Sequence, residues 1–282
     1  MSTQAKKNHL LVLGSGTSTG IPMINCLCKV CTSRNKKDKR LRTSLFIASN
    51  NGVKFLIDTT TDLRYQAIKY KLDRIDSVFI THSHADHIHG IDDLRQFCYT
   101  QEKNKIPIYT SQNTAEDIKN RFPYIFQTEK IFSSLRPIVG GGIPNLSLNN
   151  IEASQQNLSS KTIAGNRFKF CLLPHAYTES LAIIHSKFAY LPDCSDIHPQ
   201  IIKKLKAMQL DLVIIDCLQV RPHKTHLNVD KCFAFIKAIA PAQARLIHMN
   251  HEVDHQYLEK VSKKTFNFSV SPTFDGEKLT YR

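Results

Sequence analysis

The sequence predicts a mixed α/β sandwich. Short β-branched runs recur along its 282 residues, helical periodicities alternate with them in both halves, and 41% hydrophobic against 22% charged residues is the balance of a chain that buries a core. A wholly disordered chain is excluded on that composition. The longest apolar runs, such as Leu10-Leu11-Val12-Leu13, are far too short for a membrane span and lack the features of a signal peptide. The expectation is a cytoplasmic enzyme or binding protein, one domain over residues 1–282, with no membrane partner and no disulfides.

Residues 10–13 read as a first strand that runs into Gly14-Ser15-Gly16-Thr17-Ser18-Thr19-Gly20. Those glycines do not give G-x-G-x-x-G, and no G-K-[ST] follows, so a tight turn is expected rather than a nucleotide loop. Residues 44–48 and 53–57 are β-rich, and Asn50-Asn51-Gly52 between them signals a hairpin. Residues 61–71 fit a helix with Leu63, Ala67 and Ile68 on one face. Strands follow at 77–80 and 106–109. The Asn- and Ser-rich stretch 145–166 reads as irregular or as a hairpin. Strands at 168–173, 188–191 and 212–215, helices at 201–208 and 229–239, and a late strand at 246–249 complete the pattern.

Lys and Arg exceed Asp and Glu by 38 to 24, a net charge of +14, which favours anionic partners: phosphate esters, nucleotides or RNA. Part of the excess is local. Arg34, Lys36, Lys37, Lys39, Arg40 and Arg42 form either a solvated basic loop or a phosphate-contacting segment. Cys26, Cys28 and Cys31 form C-x-C-x-x-C, which can close around a zinc ion if a fourth ligand comes from elsewhere. Cys98, Cys171, Cys194, Cys217 and Cys232 read as small buried hydrophobes.

The decisive feature is Thr81-His82-Ser83-His84-Ala85-Asp86-His87, directly after the strand at 77–80. If His82 and His84 continue an extended backbone, their side chains share one side. Asp86 and His87 come after the strand end, where a turn can aim them at a second point. Imidazole and carboxylate suit Zn²⁺, Mn²⁺ or Fe²⁺, and four such groups on one loop imply one metal ion or two.

This H-x-H-x-D-H motif resembles the metallo-β-lactamase superfamily, which implies a four-layer αββα sandwich. Phe55-Leu56-Ile57-Asp58 resembles the early strand whose aspartate supports the metal loop. Pro174-His175 resembles the next ligand segment, Leu191-Pro192-Asp193 the segment with the bridging aspartate, and Leu246-Ile247-His248 the strand ending in the last histidine ligand. Within the superfamily, the opening glycine loop with Cys26, Cys28 and Cys31, and the closing His248-Met249-Asn250-His251, are similar to the phosphoribosyl 1,2-cyclic phosphate phosphodiesterase branch.

The resemblance implies a structural zinc on Cys26, Cys28, Cys31 and His251, in a loop of about residues 22–43. It implies a catalytic pair of divalent ions, manganese or zinc: one on His82, His84 and His175, the other on Asp86, His87 and His248, with Asp193 bridging. Asp86 thus belongs to the catalytic set. The implied activity is hydrolysis of a small phosphodiester, a cyclic phosphate of a ribose or nucleotide, by metal-activated hydroxide. The leaving oxygen then needs a proton, and His226, with His223 second, is the candidate general acid or phosphate contact. Arg42, Arg95 and Lys224 are candidate phosphate contacts. His9, His185, His198 and His255 read as structural, and His89 as a neighbour of the motif rather than a ligand. The alternatives are an RNA-processing endonuclease acting at tRNA 3′ ends, and a zinc-stabilised binding module without turnover. Relatives suggest a homodimer.

Overall fold

A computed structural model describes residues 7–102, 104–138 and 142–282 of the protein. Among the described residues, two seven-stranded sheets form. The first runs, in spatial order, β14 (Lys278–Tyr281), β1 (Asn8–Gly14), β2 (Ser44–Ala48), β3 (Lys54–Ile57), β4 (Ser77–Phe79), β5 (Ile106–Thr110) and β6 (Leu146–Asn150). The second runs β13 (Ser269–Pro272), β12 (Gln243–Ile247), β11 (Leu212–Asp216), β10 (Phe188–Leu191), β9 (Thr178–His185), β8 (Asn166–His175) and β7 (Ser159–Ile163).

Helices cover the outer face of each sheet. Over the first lie α1 (Leu63–Tyr70), α2 (Ala85–Ile88), α3 (Leu94–Thr100), α4 (Gln112–Arg121) and α5 (Pro123–Phe126), followed by the short α6 (Thr128–Ile131). Over the second lie α7 (Pro199–Ala207), α8 (Val229–Ile239) and α9 (His255–Thr265). This is the αββα sandwich that the family resemblance implies. No helix among the described residues is long and apolar enough to cross a membrane.

Both faces of a central strand are buried, so it must be apolar at every position rather than at alternate ones. In β11, Leu212 and Ile214 point between the sheets while Val213 and Ile215 meet the helices. The layer between the sheets is anchored by Phe168, whose ring lies 4.7 Å from Phe79 and 5.0 Å from Phe55 on the opposite sheet. Strand direction decides which edge can gather functional side chains. β8 and β10 are each antiparallel to β9, and β10, β11 and β12 are mutually parallel. The C-terminal ends of β8, β10, β11 and β12 therefore open on one edge of the sandwich.

Two expectations need correction. Residues 145–166 are a hairpin only in their last part, where β7 turns at Ala164-Gly165 to pair with β8. β6 joins β5 in the first sheet and β7 joins β8 in the second, so the segment is the crossover between sheets. The basic run is not a solvated loop throughout. Arg40 is 1% exposed. Its guanidinium donates to the backbone oxygens of Asn250 (2.9 Å) and Val253 (2.9 Å) and pairs with buried Asp38 at 3.2 Å. Asp38 in turn accepts from the His255 N–H (2.8 Å) and the Ser33 hydroxyl (2.7 Å). The pair fastens the N-terminal loop to the turn between β12 and α9.

Removing one partner of a buried pair strands the other without a counter-charge. Arg40→Ala is expected to destabilise the fold by about 3–5 kcal/mol, read from the midpoint of urea unfolding. A change no larger than that of an exposed control such as Lys36→Ala would refute this role.

Candidate metal centre

The open edge collects side chains from both sheets. His175 ends β8, Asp193 follows β10, Asp216 ends β11 and His248 follows β12. From the facing sheet, the loop after β4 brings His82 and His84, and α2 brings Asp86 and His87. Among the described residues, the ligand atoms of His82, His84 and His175 lie within 4.8 Å of one another, as do those of Asp86, His87, Asp193 and His248. A third such group joins His175, Asp193 and His226.

Asp193 stands between the first two. Its Oδ2 is 3.2 Å from His248 Nε2, 3.4 Å from His87 Nε2, 3.8 Å from His82 Nε2 and 3.9 Å from His175 Nε2. His84 closes the first group through Nδ1, which lies 3.0 Å from His82 Nε2 and 3.2 Å from His175 Nε2.

The hydrogen bonds behind these rings determine which nitrogen is bare. His87 Nδ1 donates to Asp58 Oδ2 at 2.8 Å, and His175 Nδ1 donates to the Thr225 carbonyl at 2.8 Å. The Thr81 hydroxyl gives its proton to Asp58 (2.9 Å), so it can only accept from His82 Nδ1 at 3.0 Å. The Thr43 hydroxyl gives its proton to the Gly16 carbonyl (2.8 Å), so it accepts from His248 Nδ1 at 3.3 Å. In their neutral form, four imidazoles are thereby held in the tautomer that leaves the Nε2 lone pair aimed inward.

The backbone is bent to achieve this. Asp58 (φ 64°) and His248 (φ 62°) both adopt the left-handed conformation that L-residues avoid. The turn between His82 and His84 is clamped by α4: the Ser83 hydroxyl donates to Asp117 at 2.5 Å, and Arg121 donates to the Ser83 carbonyl.

The donor set fits divalent cations. His87 Nε2 and Asp193 Oδ1 are buried without a hydrogen-bond partner, which is costly unless something else satisfies them. Burial opposes charge on His87, yet the carboxylates of Asp86, Asp58 and Asp193 outweigh it and hold its pKa well above the usual imidazole range. Burial pushes His82, His84, His175 and His248 the other way, with neighbouring imidazoles adding to the shift. A lowered pKa favours the neutral ring, the form that binds metal.

A second donor set lies at the loop before β2. Cys26, Cys28 and Cys31 approach His251 Nδ1 at 3.2, 3.5 and 3.9 Å. Zinc bonds of about 2.3 Å to sulfur and 2.0–2.1 Å to nitrogen, at tetrahedral angles, require sulfur–nitrogen edges of about 3.6 Å, and the four atoms match. The Cys31 N–H bonds to Cys28 sulfur, and this is the main cause lowering that thiol to about 6, while burial raises Cys31 to about 11.

The remaining candidates divide. His226 reaches the cluster, its ring 4.7 Å from His175 and 5.0 Å from His248. Its Nδ1 donates to Asp216 Oδ2 at 3.1 Å. Burial would lower its pKa, but Asp216 and Asp193 outweigh burial and raise it to about 9. His223 is exposed and turns to Thr225. His89 is exposed and packs toward Phe122. Arg42 is engaged by Asp62 (3.0 Å) and the Ser18 carbonyl (2.9 Å), and Arg95 pairs with Asp92 at 3.2 Å. Lys224 is exposed on the loop before His226. His185 is buried against Phe168 and Tyr281, His198 caps α7, and His255 starts α9, while His9 is exposed on β1. The sequence reading missed Asp216, which also accepts from the Leu227 N–H at 3.0 Å. Its only signal was a lone acid ending an apolar strand. Thr43 and Thr225, which orient His248 and His175, carried none.

Residues 54–249 match the β-lactamase superfamily domain. An octanoyltransferase of Porphyromonas gingivalis is 33% identical over 243 residues, 86% of this chain and 46% of that protein. The chain spans less than half the length of the curated relatives it first matches. Among solved structures, a diphosphatase of the PhnP family is 29% identical with a TM-score of 0.83, covering 97% of each chain. Zinc-bound PqqB from Methylobacterium extorquens is 15% identical with a TM-score of 0.74, covering 96% of this chain and 99% of that one.

Asp58 touches the site only through Thr81 and His87, so its loss tests orientation rather than ligand count. Asp58→Asn is expected to cost about 10–100-fold in metal affinity, measured by competition with a chelator, with the circular dichroism spectrum unchanged. Affinity equal to that of the parent protein would show that the carboxylate is not what orients His87.

Proposed function

Because the chain belongs to the metallo-β-lactamase superfamily, we propose that this metal-dependent hydrolase cleaves a small phosphodiester, in particular a cyclic phosphate of a ribose or nucleotide. The observation that carries the reading is the Asp193 carboxylate set among four Nε2 atoms, with the raised imidazole of His226 beside them. His82, His84 and His175 would hold one divalent ion, and Asp86, His87 and His248 a second, with Asp193 shared between them. Such ions, zinc or manganese, lower the pKa of a water molecule to supply hydroxide near neutral pH and neutralise phosphate charge.

The chain's own residues do the rest. His226 offers a proton to the departing alkoxide from a ring whose other nitrogen is fixed by Asp216. The net charge of +14 draws anions to the protein. The PhnP-family diphosphatase, alike over nearly the whole chain, supports phosphorus rather than carbon as the centre attacked. The octanoyltransferase name belongs to a protein of which less than half is matched. The groups clustered here are imidazoles and carboxylates.

Purified protein is expected to turn over bis(p-nitrophenyl) phosphate and a 2′,3′-cyclic nucleotide, to lose both activities on chelation, and to regain them with Mn²⁺ or Zn²⁺. A single tightly held zinc and no turnover under any metal would overturn the reading in favour of a binding module. Cleavage of precursor tRNA in preference to the small diesters would favour RNA processing.

The role of His226 has its own test. A p-nitrophenolate leaves without a proton, whereas an alkoxide does not. His226→Asn is expected to lower kcat on the cyclic nucleotide by about 10²–10⁴-fold and to cost much less on the nitrophenyl ester. Activity requires the protonated ring, so it falls as pH rises through the His226 pKa. Asp216→Asn removes the charge that raises that pKa, so the falling limb should move to lower pH. An unmoved limb would exclude His226 as the acid.

A further inference from the structure

We propose that Tyr177 is a stacking platform for the base of a nucleoside phosphodiester, so that the enzyme prefers nucleotide substrates to bare sugar phosphates. This rests on the phosphodiester reading and narrows it.

Tyr177 is 84% exposed, yet its ring centroid lies 5.8 Å from that of His84. Exposed tyrosines are ordinary on a protein surface, but this one stands at the rim of the metal cluster. It is two residues from His175, at the tip of the β8–β9 hairpin. His175 pairs with Thr178, so the turn consists of Ala176 and Tyr177 alone. Ala176 takes the left-handed conformation (φ 51°). The register that seats His175 therefore also fixes where Tyr177 stands. A tyrosine has two side-chain torsions, so it presents a broad apolar face at small entropic cost.

The rings form a row across the cluster. Tyr177 and His84 are 5.8 Å apart, His84 and His175 4.9 Å, His175 and His226 4.7 Å, and His226 and His223 5.3 Å. The three inner histidines, His84, His175 and His226, belong to the cluster. At one end stands His223, next to the proton donor His226, on a loop that also exposes Lys224 and an Arg221 paired with Glu252. At the other end stands an exposed aromatic ring. A phosphate seated on the cluster would face the His223 loop with its polar side, leaving an attached planar group beside Tyr177, 5.8 Å from His84. Every nucleobase offers a π-face, so such a platform selects for a base without selecting which one.

The test compares substrates that differ only in the base: adenosine 2′,3′-cyclic phosphate and methyl riboside 2′,3′-cyclic phosphate. The parent enzyme is expected to favour the adenosine ester by about five- to a hundredfold in kcat/KM. Tyr177→Ala should lower kcat/KM for the adenosine ester more than for the riboside, bringing the ratio toward one, and Tyr177→Phe should retain it. A ratio that Tyr177→Ala leaves unchanged overturns the proposal. Binding separates this failure from failure of the hydrolase reading. If neither ester is turned over, calorimetry on the metal-loaded protein compares adenosine 5′-monophosphate with ribose 5-phosphate. Tighter binding of the nucleotide that disappears in Tyr177→Ala upholds the platform without the chemistry. Equal dissociation constants in the parent protein overturn it.

Discussion

A buried carboxylate dominates this molecule. Asp193 is 2% exposed, and one of its oxygens meets four imidazoles from segments far apart in the chain. Taking a carboxylate out of water is expensive unless nearby positive charge and hydrogen bonds offset it. Two of those imidazoles arrive from the first sheet and two from the second. The centre therefore exists only when the sheets are closed on each other at the correct offset. The aromatic contact of Phe168 with Phe55 and Phe79 supplies that closure. Each strand then delivers its ligand from its C-terminal end, where the backbone leaves the hydrogen-bonded ladder and can turn.

The supporting hydrogen bonds arise from the same constraint. A ring that must present Nε2 needs an acceptor at Nδ1, and the fold provides a different one each time: Asp58, the Thr225 carbonyl, Thr81 and Thr43. The two hydroxyls serve as acceptors only because their own protons are committed elsewhere. Such arrangements store strain, and the left-handed backbone at Asp58 and His248 is where it is visible. Both residues are held by packing on all sides, being 0% and 1% exposed.

How much of this was legible depended on whether the signal was local. The H-x-H-x-D-H cluster and C-x-C-x-x-C announce themselves because several donors crowd a few residues. His175, Asp193 and His248 are single residues at strand ends, and only their resemblance to a known pattern picked them out. Asp216 had no such help. β9 went unread because it opens on the polar Thr178-Glu179-Ser180, although its remaining residues are buried in the sheet. α4 was missed because its helix is largely polar, and its service to the site, through Asp117 and Arg121, depends on tertiary placement. Charge was misleading for the opposite reason. A run of basic residues reads as one surface, yet Arg40 is a core strut and Arg42 is engaged by Asp62.

That strut explains how the two metal-binding constellations are related. His248 belongs to the group with Asp86, His87 and Asp193, and His251 to the cysteine group, and both lie in the turn that leaves β12. The same turn receives Arg40 at Asn250, while the Met249 N–H donates to the Ser15 carbonyl at 3.2 Å. Gly16 must be glycine for this to close, because a side chain there would collide with Arg40. The N-terminal loop is thus stitched to the turn by the cysteines, by a buried guanidinium and by backbone pairing. A strained His248 needs such support, since nothing in its own left-handed backbone favours the position it holds. The cysteine site is then more than a staple for a loop. Its His251 lies three residues from His248 in the same turn, so what holds the cysteine group also holds the backbone that places His248.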